Sequence, residues 1–365
     1  MQYIHEQDNW PTFTWDDNKL LPFVADVRYH QGKLLGRMEG LGFPFRSEAN
    51  LNTLTADVVK SSAIEGEFLP LEQVRSSIAR RLGIEFAGMV HSSHDVDGIV
   101  EMMLDATQRR TEPLTAERLF GWHALLFPHG RSGMYKIKVG AWRTDDAGPM
   151  QVISGGFGRE KIHFVAPSAE RVEREMLAFL LWVESEQKLD PLMKAGIAHL
   201  WFLTIHPFED GNGRIARAIV DMLLGRADGC AHRYYSMSSQ IELDRKEYYL
   251  QLERCQRGSM DITQWLEWFL RCLERALAKS EISLMEILRK AKIWEMANAA
   301  KVNQRQQLVI NRLLDGFQGN LTTSKYAKLA KCSEDTGLRD IRMLIEAGIL
   351  IQNSGGGRSS SYSIR

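Results

Sequence analysis

From Asn18 to about Gly130 the apolar residues recur three and four apart, as in Leu20, Leu21, Val24 and Val27 or Ile99, Met102, Met103 and Ala106. That spacing stacks them on one face of a helix, so this half is predicted to be mostly α-helical. Between Tyr135 and Pro167 the pattern shortens to β-prone pieces, Lys136 to Trp142, Gln151 to Ser154 and Lys161 to Val165, separated by Gly148-Pro149 and Gly155-Gly156. A small hairpin is expected there. Helical spacing returns over Ser168 to Glu186, Pro191 to Ile205 and Arg214 to Leu224, then from Arg245 through about Ala300. Beyond, Leu321 to Ala330 and Ser333 to Ala347 read as helices, and Ile349 to Gln352 and Ser361 to Ile364 as strands around a turn at Ser354 to Gly357. The expected architecture is mainly α: a helical domain over 1–114, a helical core with a β-hairpin flap over 115–280, a linker helix over 281–300 and a small domain over 301–365.

Composition changes this picture little. At 365 residues the chain has room for two or three domains, and 44% hydrophobic with 25% charged residues is ordinary for a globular protein. Lys plus Arg equals Asp plus Glu, 46 each, so no overall field draws the molecule to nucleic acid or anionic lipid. The tail departs from that balance, with ten Lys and Arg against five Asp and Glu from Lys301 onward. Cys230, Cys255, Cys272 and Cys332 are far apart and read as reduced thiols. The first residues lack a basic stretch leading into an apolar run, and no segment has the ~18 apolar residues of a membrane span. A cytoplasmic protein without membrane contact is expected.

The chemistry concentrates in HPFEDGNGRIAR, His206 to Arg217. Pro207 disfavours helical geometry at His206, so the helix from Pro191 should end there and leave the imidazole at a loop mouth, able to accept a proton near neutral pH. Asp210 offers a hard oxygen ligand suited to magnesium. Gly211, Asn212 and Gly213 can turn successive N–H groups toward an anion at the start of the next helix. Arg214 and Arg217, three apart on that helix, present planar forks suited to phosphate. GNGRIA also fits the G-x-G-x-x-G/A pattern of dinucleotide folds, but that pattern needs a strand leading into the glycines, and here a helical period ending in His-Pro precedes them. A plain glycine turn between helices would leave the histidine, the acid and the paired arginines unexplained. Together these residues predict magnesium-nucleotide chemistry with a general base.

The same twelve residues resemble the signature of the Fic family, H-P-F-x-[D/E]-G-N-G-R-x-x-R, at every fixed position. Gly140-Ala141-Trp142-Arg143, Gln151 to Gly155 and Phe164 to Pro167 resemble the family's flap region, and the likeness covers most of residues 1 to 280. The resemblance implies a protein adenylyltransferase that moves AMP from ATP to a Ser, Thr or Tyr hydroxyl of a target protein or of itself. His206 would be the base, Phe208 a packing residue beneath the loop, and Asp210 the Mg2+ ligand. Gly211, Asn212 and Gly213 would hold the α- and β-phosphates, and Arg214 and Arg217 the outer ones. Val152, Ile153, Ser154 and Gly155 would lie over the nucleotide on a flap whose edge docks the target. Tyr248 and Tyr249 would line the adenine site, although aromatics at helical spacing more often pack a core. Gln256 falls where some members carry a ribose-binding asparagine. Choline-phosphate and other nucleotide donors stay open.

Ser61-Ser62-Ala63-Ile64-Glu65-Gly66 matches the family's inhibitory pattern, [S/T]-x-x-x-E-[G/N]. Glu65 would pair with Arg217 at the γ-phosphate position and suppress transfer, and in some members such a glutamate serves AMP removal. Family precedent adds a homodimer. His91, His94 and Asp95 lack a third and fourth ligand for zinc, His199 reads as structural, and His123 and His129 carry no signal. The tail resembles a winged helix, with Lys325 to Ala330 and Glu334 to Ala347 as its helices and Gly355 to Arg358 at the wing tip. Arg339 and Arg342 share a face, and Lys325, Lys328, Lys331 and Arg358 could meet phosphates of DNA, against the acids Glu334, Asp335 and Asp340. The alternative from another class is a DNA-binding regulator whose core only senses nucleotide.

Overall fold

The computed structural model describes all residues except 1, 86–87, 147, 156–160, 187, 315–316, 318 and 354–359. The chain forms two compact units, Met1–Ser280 and Glu281–Arg365.

In the first unit a short 3-10 turn, Ile4–Glu6, precedes α1 (Asp17–Glu39), α2 (Phe43–Ile64), α3 (Leu71–Leu82), α4 (His94–Gln108) and α5 (Ala116–Leu126). Two hairpins follow, β1 (Arg131–Ser132) with β2 (Tyr135–Lys136), and β3 (Gln151–Ser154) with β4 (Lys161–Val165). Then come α6 (Ala169–Glu184), α7 (Pro191–Ile205), α8 (Asn212–Asp228), α9 (Met237–Leu243), α10 (Arg245–Gln256) and the start of α11 (Thr263–Ala299). Helix α7 is the centre: nearly every residue from Leu192 to Ile205 is buried, including Leu200, Phe202 and Ile205, as expected of a helix apolar on all sides. Gly196 lets α11 approach it, since a Cβ there would lie 3.0 Å from Leu266 and 3.1 Å from Phe269. Next to it runs α8, buried from Arg214 through Gly225.

Two sequence expectations need correction. Of the strand expected over Lys136 to Trp142 only Lys136 pairs with another strand, together with Tyr135 before it. The rest is irregular because its N–H groups are taken up elsewhere: Lys138 N–H donates to Glu209 Oε2 (3.0 Å), Gly140 to His123 Nδ1 (3.2 Å) and Arg143 to Pro207 O (2.9 Å). The helix expected from Arg245 onward is broken between Gln256 and Thr263, where the N-terminal segment docks through Thr14 N–H to Met260 O (2.8 Å) and Ile262 N–H to Thr14 O (2.9 Å). Asp261 then starts α11 by accepting from Thr263 N–H (2.9 Å).

The second unit begins within α11 and continues with α12 (Gln304–Leu314), β5 (Leu321–Thr322), α13 (Thr323–Ala330), α14 (Glu334–Glu346), β6 (Leu350–Gln352) and β7 (Ser361–Ile364). The three strands form an antiparallel sheet in the order β5-β7-β6. Its core gathers Val309, Ile310, Tyr326, Ile341, Leu344 and Tyr362. Asp340 is buried, accepting from Tyr326 Oη (3.2 Å) and Arg305 Nε (3.3 Å), so it belongs to this interior rather than to the acidic surface expected of it. Arg339, Arg342, Lys325, Lys328 and Lys331 are exposed. The expected wing tip, Gly355 to Arg358, lies outside the described residues.

Candidate active site

The site forms where α7 ends and α8 begins. His206 closes α7 in the left-handed region (φ 53°), which residues other than glycine sparsely populate. Its Nδ1–H donates to Leu203 O at 3.3 Å, which leaves Nε2 as the atom with a free lone pair. Burial of the imidazole, helped by the Arg143 guanidinium, lowers its pKa to about 4 against the opposing pull of the Leu203 bond, Asp210 and Glu65. The ring is therefore neutral, and able to take a proton, throughout the physiological range.

The loop is held by residues far away in sequence. Phe208 is fully buried and stacks on His123 at 4.3 Å between centroids. The Asn212 side chain closes the turn, accepting from Phe208 N–H (3.0 Å) and donating to Phe208 O (2.8 Å). It is thus a clamp on the loop. Arg143, buried, donates from Nε to His206 O (2.8 Å) and also bonds Pro167 O. His123 accepts from Gly140 N–H at Nδ1 and donates from Nε2 to Asp210 O (3.2 Å); burial holds it neutral, with its pKa lowered to about 4. Sequence gave His123 no role because its partners lie far along the chain. The signal was its place one helical turn after Leu119, on the buried face of α5.

Helices α1, α4, α5, α13 and α14 are capped at their first turn by Asp16, Ser93, Thr115, Thr322 and Ser333. Helix α8 has Gly211 at that position (φ 80°) and, like α2, α3, α6 and α10, no side-chain cap. The first N–H groups of a helix and its dipole are suited to an anion. Arg214 and Arg217 line the same turn and are 3% and 2% exposed. Buried Arg214 Nε and Arg217 Nη1 have no partner among the described residues, donors that phosphate oxygens would satisfy. Asp210 accepts from Gly211 N–H at Oδ1 (2.6 Å) and from the Ser132 hydroxyl at Oδ2.

Glu65 lies directly on this anion site. Its Oε1 is 2.8 Å from Arg217 Nη2, and a Cβ placed on Gly213 would fall 2.0 Å from the same oxygen. Ser61, one turn earlier on α2, accepts from Arg217 Nε at Oγ (2.9 Å) and from Nη2 at its carbonyl (2.8 Å). Burial opposes the charge on Arg217, but Glu65 with Tyr248 and Tyr249 outweighs it and leaves the pKa raised. The spacing of Ser61 and Glu65 is thus one helical turn that grips one guanidinium from two sides.

The two tyrosines separate. Tyr248 is buried, its hydroxyl 2.8 Å from His199 Nε2, and is a core residue; His199 in turn stacks on Trp265 at 5.7 Å. Tyr249 is 38% exposed, and its hydroxyl lies 3.3 Å from both Glu65 Oε2 and Ile64 O. Gln256 is buried and donates to Leu203 O (3.3 Å), the carbonyl that also orients His206. In the flap, Val152 is half-buried while Ile153 and Ser154 are exposed, and the outer edge of β3 has no strand partner among the described residues. Gly155, at φ 105°, ends the strand. Among the described residues no group of three or more His, Cys, Asp or Glu is arranged to hold a metal ion, and no helix is long and apolar enough to cross a membrane.

An uncapped helix start, two buried arginines and a neutral histidine thus meet at one turn of the helical body. Residues 113–224 match the Fic/DOC family, and residues 3–84 match a domain of unknown function, DUF4172. The chain carries a Fic/DOC domain. It is similar to proteins named "Protein adenylyltransferase Fic" from Nematostella vectensis (25% identical over 224 residues, 60% of this chain and 47% of that one) and Aedes aegypti (28% over 236 residues, 62% and 42%). The chain thus spans less than half the length of these relatives. A Fic family protein from Desulfovibrio desulfuricans G20 shares the fold over 95% of this chain and 96% of that one, with a TM-score of 0.54 at 22% identity.

Proposed function

We propose that this protein transfers AMP from ATP to a Ser, Thr or Tyr hydroxyl of a protein, and that Glu65 restrains it. The observation that carries the reading is the convergence of three things on one turn: the free Nε2 of His206, the uncapped start of α8, and buried arginine donors without protein partners. In the reaction the acceptor oxygen attacks the α-phosphorus, the bond to the bridging oxygen breaks, and pyrophosphate leaves. The hydroxyl proton passes to His206 Nε2, which is neutral because of its burial. Arg214 and Arg217 would meet the departing charge. Asp210, whose carboxylate accepts from Gly211 N–H and Ser132, would hold Mg2+, and the metal would supply charge neutralisation when bound. The outer edge of β3, without a strand partner among the described residues, supports main-chain docking of an extended target segment.

With Glu65 on Arg217, an outer phosphate and the carboxylate compete for the same guanidinium. Tyr249, at the Glu65 carboxylate, would wall the same space. The exposed Arg339 and Arg342 of α14 support a second, independent role for the tail in contacting DNA. Binding of duplex DNA that weakens steeply with salt would bear that out, and salt-independent or absent binding would remove it.

The transfer reading is tested by intact-protein and peptide mass spectrometry after incubating Glu65→Gly with ATP, magnesium and a cell lysate. AMP esters on protein hydroxyls are expected, and their absence in His206→Ala on the same background. Tight ATP binding with no covalent product in any sample would favour the nucleotide-sensing regulator instead.

A further inference from the structure

The turn after α2 carries a second carboxylate that the inhibitory pattern does not contain. Glu65 N–H and Glu67 N–H both donate to Ser62 O (3.0 Å each), and Gly66 N–H donates to Ala63 O (3.0 Å). Gly66 sits at φ 86°, in the left-handed region where a side chain would strain the turn. The closed turn directs two acids onto α8. Glu65 takes Arg217, and Glu67 Oε2 lies 2.7 Å from Arg214 Nη1. Each of the two motif arginines therefore carries one carboxylate, two residues apart on the turn and three apart on the helix.

The partners of this second pair differ in burial. The Arg214 side chain is 3% exposed and that of Glu67 is 46% exposed. A buried guanidinium needs a counter-charge, while a half-exposed acid can leave for water at small cost. Arg214 also rests over the Phe127 ring, 5.1 Å from its centroid, which fixes where its fork points whether or not Glu67 is present. Each of the two carboxylates thus faces one guanidinium group.

We propose that Glu67 is a second inhibitory carboxylate, acting on Arg214, so that the Glu65-Gly66-Glu67 turn occupies the anion site as an internal mimic of a diphosphate. This rests on the nucleotide reading above and extends it: inhibition acts at two phosphate positions, and the outer contact opens first. Glu67 is then a residue through which the full chain grades its affinity for ATP and pyrophosphate, separately from Glu65.

The test is calorimetric titration of the full chain with inorganic pyrophosphate and with magnesium ATP, for wild type, Glu67→Gln, Glu65→Gln, the double variant, and Glu67→Gln in an Arg214→Gln background. Circular dichroism would confirm that each is folded, and Glu67→Ala provides a second truncation. Glu67→Gln is expected to tighten both ligands by about 3- to 30-fold, the gain from one freed charge-assisted contact. The double variant should bind more tightly than either single one, and the gain from Glu67→Gln should vanish when Arg214 is absent. Pyrophosphate binding unchanged in Glu67→Gln and Glu67→Ala would overturn the proposal, and so would a gain that persists without Arg214. If binding by Glu67→Gln is unchanged while Glu65→Gly labels protein with AMP, the second carboxylate fails and the transfer reading stands. If Glu67→Gln binds pyrophosphate more tightly but no variant labels protein, the transfer reading fails and Glu67 still gates an anion site.

Discussion

The motif loop, His206 to Gly213, and the flap, β3 with β4, are held in opposite ways. The loop is fixed from three sides by buried groups: His123 beneath Phe208, Asn212 across the turn, and Arg143 on the His206 carbonyl. In the flap only the inner strand is tied down. His5 Nε2–H donates to Val165 O (2.8 Å), Phe164 is buried against Tyr3 and His5, and Arg257 donates to the carbonyls of Ile162 and His163. His163 Nδ1–H donates to Glu253 (2.6 Å), and its Nε2 accepts from the Ser154 hydroxyl (2.6 Å), a side-chain tie that reaches β3. A rigid loop suits groups that must meet a reacting phosphorus, whereas an edge strand held from one side can adapt to a docking segment.

The largest effect that sharpens this contrast is on the loop. His206→Ala in a Glu65→Gly background should lower AMP transfer by roughly 10²- to 10⁴-fold while leaving the thermal midpoint nearly unchanged, the mark of a lost general base. A small loss would move the base elsewhere. The next concerns pH. Burial lowers His123 to about 4 and His199 to about 3, while an unfolded histidine titrates near ~6.5. Both are neutral in the folded chain, so their stabilisation is complete above about pH 6.5 and falls by about 1.4 kcal/mol per unit and per histidine as pH drops toward 4. Urea denaturation at pH 7 and pH 5 checks it, and equal stability would mean that the rings are not held neutral. His206 obeys the same sign: kcat/KM of the Glu65→Gly variant should show no inflection near 6.5 and should decline only toward pH 4.

Asn212→Ala strands the Phe208 N–H and carbonyl in the interior and should cost about 1–3 kcal/mol of stability, read as a shift in the denaturation midpoint. The smallest effect belongs to the flap. His163→Phe removes the tie between Glu253 and Ser154 near the surface, so stability should change by less than about 0.5 kcal/mol. The KM for a protein acceptor should rise severalfold with kcat preserved. A fall in kcat instead would show the flap to be part of the rigid site.

The same contrast separates what could be read from sequence. His206 to Arg217 was legible because its groups lie within one loop and one helical turn, where spacing alone fixes who faces whom. Glu65, which acts on Arg217 far along the chain, was legible only through the resemblance of Ser61 to Gly66 to the family's inhibitory pattern. His123, Arg143, Glu253 and Glu67 were not, because each acts on a residue at least 63 positions away and spacing says nothing of such pairs. Tyr248 and Tyr249 looked alike as neighbours on an amphipathic pattern, but adjacent residues on a helix are about 100° apart. One turns into the core and the other toward Glu65. The strand expected after Lys136 failed because its N–H groups are spent on the loop rather than on a sheet.

The most direct test is the rate of label incorporation from ATP marked at the α-phosphate, measured side by side for wild type, Glu65→Gly, and Glu65→Gly with His206→Ala in the presence of magnesium and lysate. Strong label in Glu65→Gly, little in wild type and none in the double variant is the predicted result. Equal label in wild type and Glu65→Gly would contradict the restraint by Glu65, and label that survives His206→Ala would contradict the site.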